Sequence, residues 1–311
     1  MSDNETKQIN EPQVPENDLN ANVPSKKTFR IGYFFFSLLA LAAVFVIQTV
    51  AEVPFLVLSF IDAAKEVPDL DSWVLIDKAL EIFSDKYMMA IYLAYSLLGL
   101  IVFGIWYYKG FVKKNPKVKI GQVFGVKSVL AAVFGVLSVS LAIDAVLTAI
   151  YIFAPHVLDS YLELMKEAGF TDYNFIILTY MLFLGPLLEE LFARGVVFGF
   201  LEKAGFKPFW VMFISSVFFG IIHLNLVQGI YAACFGMFLA FLRYKYRSIM
   251  ISVLGHIVFN ILGVTEEMLL EKIGVGDTGL MIIGAVSLIG IVIAVIVVNG
   301  DKKTLGTSCD N

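Results

Sequence analysis

Glu189, Glu190 and Arg194 stand within six residues of one another inside an apolar run from Tyr173 to Leu201. An ionisable group near the centre of a bilayer costs several kcal/mol, roughly 2.5–3.5 on insertion scales. Three such groups together imply a purpose that offsets the cost, and the usual one is a site. Two histidines lie in other apolar runs: His223 in Phe219-Gly-Ile-Ile-His223, and His256 in His256-Ile-Val-Phe-Asn260. The third histidine, His156, follows Pro155 in a loop and is read as solvated. Carboxylate and imidazole are the side chains that activate water or bind a metal.

The spacing assigns faces. Glu190 and Arg194 are four apart, so on a helix they meet and pair. Glu189 then points about 100° away and is left for another task. His256 and Asn260, also four apart, present one polar face. Counted at 1.5 Å per residue from inner ends near Leu201, Pro208 and Arg247, Glu189 lies about 18 Å deep, His223 roughly 22 Å and His256 about 13 Å. Three spans can therefore place their polar groups in one layer. Gly195 and Gly199 form a GxxxG pair, which predicts a close neighbour at that helix. Amide hydrolysis needs a base for water and donors for the developing oxyanion. Two histidines and a carboxylate also match catalytic zinc ligation. Both options stand at this point: a zinc site on Glu189, His223, His256 and Asn260, or a metal-free glutamate–histidine site.

The elements that must carry these residues are membrane spans. Of the 311 residues 59% are hydrophobic and only 16% charged, and mean hydropathy is +0.81. A typical soluble domain carries about 25% charged residues. This is the composition of a multi-span membrane protein. Nothing in the chain reads as a nucleic-acid patch or a long-period repeat, and two distant cysteines make no disulfide framework. A span needs roughly 20 residues, and eight runs qualify, near 31–52, 87–108, 128–153, 174–201, 208–225, 227–243, 247–264 and 279–299. The fifth and sixth are divided by almost nothing around Asn225. The predicted fold is an all-α integral membrane bundle of about eight transmembrane helices with an intramembrane active site. Its regions are a polar, disordered tail at 1–25, a three-helix region at 26–153, a motif-bearing core at 174–264, and a last helix with a short tail at 279–311. The first apolar run begins too late and runs too long for a signal peptide, so it is expected to stay as a span.

Orientation follows from lysine and arginine. With the N-terminus inside, 17 basic residues fall on the inner side and 5 on the outer, Arg194 being the remaining one of 23. Both termini and the basic 109–127 segment are then cytoplasmic. Asp144 and the Glu266-Glu267 pair fall at the outer ends of their spans, where interfacial and solvated positions are expected.

Glu189-Glu190-x-x-x-Arg194, Phe219-x-x-x-His223 and His256-x-x-x-Asn260 resemble, in order, spacing and placement in successive spans, the three motifs of the CPBP family. These are the CAAX prenyl proteases of the Ras-converting type and their bacterial bacteriocin-processing and immunity relatives. The resemblance covers roughly residues 174–264. It implies an eight-helix intramembrane endopeptidase in which Glu189 activates water assisted by His223. His256 and Asn260 would stabilise the oxyanion or bind a metal. Glu190 and Arg194 fit a supporting ion pair, and Phe219 packs around the site. The implied substrate is a membrane-associated peptide or protein, and the implied setting a bacterial plasma membrane. Two other readings compete: a non-enzymatic immunity or scaffold protein of the same family, and a proton-coupled transporter. The transporter would need matching inverted halves, and the sequence has none that align.

Overall fold

The computed structural model describes residues 29–66, 72–113, 124–167 and 174–301. The predicted tail at 1–25, the end of the chain beyond Asp301 and the centre of the basic 109–127 segment lie outside the described residues. The described chain is helical, without strands. It forms α1 (Ile31–Glu66), α2 (Ser72–Val112), α3 (Val126–Phe153), the short α4 (Asp159–Glu167), α5 (Phe175–Ala204), α6 (Pro208–Ile221), α7 (Leu226–Tyr246), α8 (Ile249–Lys272) and α9 (Asp277–Asn299). Seven of these are long and apolar enough to cross a membrane. Large apolar side chains cover the outside, among them Phe35, Val46, Ile101, Leu130, Ile289 and Ile296. Such a surface is stable only against lipid, which makes this a multi-pass membrane protein.

One span departs from expectation. The fifth run was predicted to cross near 208–225, but α6 has 14 residues and is about 21 Å long, short of a bilayer core. It packs along α7 as a hairpin closed by residues 222–225. Leu224 takes a left-handed backbone (φ 55°), uncommon for a bulky residue, and Asn225 caps α7 by accepting the Gln228 amide at 3.0 Å. His223 therefore sits in a turn at membrane depth rather than inside a span. Irregular backbone at that depth is tolerated where it is buried in protein or lines a cavity. At the other end, Gly205 (φ 91°) stops α5, and Pro208 opens α6 one residue after the extended Lys207.

Small residues set the other contacts. α9 lies closest to α3, where Gly284 faces Ala145 and Gly290 faces Ser138. Gly195 and Gly199 do receive a close neighbour, as predicted, namely the rings of Tyr107 and Phe111 on α2. Buried serines return their hydroxyls to their own helix, as Ser37 does to the Phe34 carbonyl and Ser96 to that of Tyr92.

The expectation for Glu266 is corrected. It is 8% exposed, and its Oε2 accepts the Ser140 hydroxyl at 3.0 Å. Asp144, one turn further along α3, is partly buried beside it. The Glu266 carboxyl thereby ties α8 to α3 instead of facing solvent.

Candidate active site

The glutamate pair rides on an α-helical turn, Gly185–Glu190, flanked by π-helical turns at Tyr180–Leu184 and Leu191–Val197. Each π turn shifts the helical register, so the pair is aimed independently of the apolar faces before and after it. Such bulges are frequent at functional sites. Gly185 leaves room here, because a Cβ on it would lie 3.8 Å from Glu189 Oε1 and 3.2 Å from the Tyr180 carbonyl.

Glu190 and Arg194 are both wholly buried and pair at 2.9 Å, Oε1 to a guanidinium nitrogen. The other terminal nitrogen of Arg194 donates to the Gly236 carbonyl of α7 at 2.8 Å, and the guanidinium lies 4.4 Å over the Phe219 ring. Gly236 is required at this approach, since a Cβ there would fall 2.7 Å from the guanidinium. The same Glu190 oxygen faces His256 Nδ1 at 3.1 Å, and His256 Nε2 faces Glu189 Oε2 at 3.6 Å. An Arg194–Glu190–His256–Glu189 chain thus runs from the protein interior to a cavity. Phe219 and Phe235 stand edge-on to the His256 ring at 5.5 Å each and fix its plane.

His223 reaches the same cavity from the α6–α7 turn. Its Nδ1 donates to the Phe219 carbonyl at 2.8 Å, which leaves Nε2 as the nitrogen with a free lone pair. Asn260 lies in the wall. Its amide nitrogen donates to the Met181 carbonyl at 2.6 Å, inside the first π turn, where the register shift frees a carbonyl. The structure therefore brings Glu189, His223, His256 and Asn260 to one cavity and puts Glu190 and Arg194 behind it. The link from Glu190 to His256 and the anchoring of Arg194 on Gly236 carry no signal in the sequence beyond the presence of Gly236.

The cavity holds about 570 Å³. Its lining extends from the Glu189–His256 pair to Tyr95, Tyr92 and Tyr180 and to Glu52, in the second half of α1. There the short α4 borders it through Tyr161, Leu162 and Met165, with the Tyr161 and Tyr231 hydroxyls 3.3 Å apart. Tyr92 and Tyr180 stack at 4.5 Å.

A catalytic zinc takes three protein ligands and keeps a fourth position for water. Among the described residues no three His, Cys, Asp or Glu side chains gather closely enough to hold a metal ion. Both ring nitrogens of His256 face glutamate oxygens, and the amide nitrogen of Asn260 is turned to Met181. As arranged, the set Glu189, His223, His256 and Asn260 does not fit zinc.

Residues 171–262 match the family model described as Type II CAAX prenyl endopeptidase Rce1-like. The Bacillus subtilis (strain 168) protein named "Putative membrane peptidase YdiL" is 38% identical over 77 residues. That match covers 24% of this chain and 31% of the relative, so the chain spans about a third of the length of the curated protein it matches. No solved structure matches. The family model covers α5 to most of α8, the helices that bring the two glutamates and the two histidines together. Over the segment that carries the three motifs, this chain is therefore similar to the Rce1-like type II CAAX prenyl endopeptidases.

Proposed function

We propose that this protein is an intramembrane endopeptidase that hydrolyses a membrane-associated peptide or protein through water activated by Glu189. The observation that carries the reading is the Arg194–Glu190–His256–Glu189 chain ending in a cavity that also receives His223. A buried ion pair with no further task would not need a histidine bridge to a second carboxylate 20% exposed to the cavity. Glu189 takes a proton from water as the oxygen attacks the scissile carbonyl, and later returns it to the leaving amine. His256, held by Glu190, orients Glu189 in the manner of a base and its positioning partner. His223, whose Nε2 carries a free lone pair in this tautomer, assists Glu189 as a proton acceptor, and Asn260, through the second hydrogen of its amide, stands in the wall to stabilise the oxyanion. This gives His256 a positioning task in place of the oxyanion role carried over from the motifs, and keeps His223 as the helper of Glu189.

The immunity or scaffold reading keeps the cavity without turnover. The two differ in products. A deletion strain carrying either the parent sequence or its Glu189→Gln form would be compared by mass spectrometry of new N-termini in membrane proteins. Fragments present only with the parent support the endopeptidase. Their complete absence, with both proteins at equal level, overturns it. Cleavage is expected to survive exhaustive chelation, because no step uses a metal. Loss of cleavage restored by stoichiometric zinc would overturn that mechanism.

The side of access follows from charge. In the orientation set by the 17-to-5 bias, the Val112 end of α2 is the cytoplasmic one, and substrate approaches the Glu52 and α4 part of the cavity from the other side. A reporter active only outside the cytoplasm should be silent when fused after Lys127 and active when fused after Asp69. The reverse pattern would place the cavity mouth on the cytoplasmic side.

A further inference from the structure

The far half of the cavity has its own chemistry. Gln48 and Glu52 are four apart on α1 and both line it, with the Gln48 amide donating to Glu52 Oε1 at 2.9 Å. Tyr92 and Tyr95, three apart on α2, line the same cavity.

What is missing is a cation. Among the described residues lining the cavity there is no lysine or arginine, and no basic side chain forms an ion pair with Glu52. Residues 67–71 and 168–173, outside the described residues, include no lysine or arginine. Arg194, the nearest buried cation in the motif helix, belongs to Glu190. A carboxylate at the edge of the apolar layer, answered only by a neutral amide, is costly unless a positive partner comes from outside. The tyrosine faces beside it attract the same partner.

We propose that Glu52, with Gln48, Tyr92 and Tyr95, forms a subsite for a lysine or arginine side chain of the polypeptide bound in the cavity. The substrate class is then a membrane-associated segment in which a basic residue stands near apolar ones. This deepens the endopeptidase reading and rests on it for calling the guest a substrate.

The test reads binding, so it does not need turnover. Full-length Glu189→Gln protein in nanodiscs is titrated with fluorescein-labelled apolar peptides that are identical except for one lysine or norleucine, scanned along the chain. At one position lysine is expected to bind about 10-fold tighter than norleucine. Adding Glu52→Gln should erase that preference, and Glu52→Lys should transfer it to a glutamate-bearing peptide. Equal binding of lysine and norleucine peptides at every position overturns the subsite, as does a lysine preference that survives Glu52→Gln. Failure of the fragment comparison above would strike the endopeptidase reading alone, since this readout stands without cleavage.

Discussion

Glu189→Gln is expected to lower cleavage by about 10²–10⁴-fold, the usual contribution of a general base. The glutamine keeps the size and hydrogen-bonding reach of the carboxylate but cannot take a proton from water. His256 Nε2, 3.6 Å from Glu189 Oε2, would then face an amide oxygen instead of a carboxylate. Membrane insertion should not suffer, because removing an intramembrane charge lowers the insertion cost. The measurement is complementation of a deletion strain with protein level checked by blotting. A Glu189→Gln protein at normal abundance that complements as well as the parent sequence would end the peptidase reading in favour of the binding protein. His223→Ala and His256→Ala should approach the same loss. They differ in kind, since His256 also bridges to Glu190.

The second large effect concerns the pair behind the site. Glu190 and Arg194 are each 0% exposed and joined at 2.9 Å. Removing one partner of a buried pair leaves an uncompensated charge and typically costs about 3–5 kcal/mol. Glu190→Gln should therefore reduce protein level and lower the melting temperature of the detergent-purified protein as well as its activity. The remaining guanidinium would keep only the Gly236 carbonyl and the face of Phe219. Replacing both, as Glu190→Gln with Arg194→Met, should recover much of the abundance and little of the activity, because His256 still loses its anchor. The double variant separates stability from positioning. Normal abundance and melting for Glu190→Gln alone would show that the pair does not hold the fold.

The contrast between the two glutamates is local in origin. A helix repeats every 3.6 residues, so neighbours in sequence face different surroundings. Glu190 shares a face with Arg194 and is sealed, while Glu189 is turned to the cavity. That division was readable from spacing alone. The chain Arg194–Glu190–His256–Glu189 was not, because His256 lies 66 residues from Glu190 and meets it only when α8 packs on α5. The two pulls on Arg194 from α7 and α6, through Gly236 and Phe219, are likewise products of packing.

Apolar runs of sufficient length, their basic flanks and the polar residues inside them are local properties of the chain. Partition between water and lipid acts on each segment by itself. For that reason the all-helical membrane fold, seven of the eight expected spans, and the grouping of Glu189, His223, His256 and Asn260 follow from the sequence. Hydropathy does not mark where a helix ends inside an apolar run, so the shortness of α6 and the turn that holds His223 had to come from the tertiary structure. The same is true of the π turns around the glutamate pair, which shift register in the service of packing on both sides. Glu266 is expected in solvent because it follows the seventh apolar run, yet it is buried and accepts the hydroxyl of Ser140, 126 residues away. Contacts at such separations are decided by which helices touch, and helix association in lipid turns on small residues and shape rather than on any signal within one span.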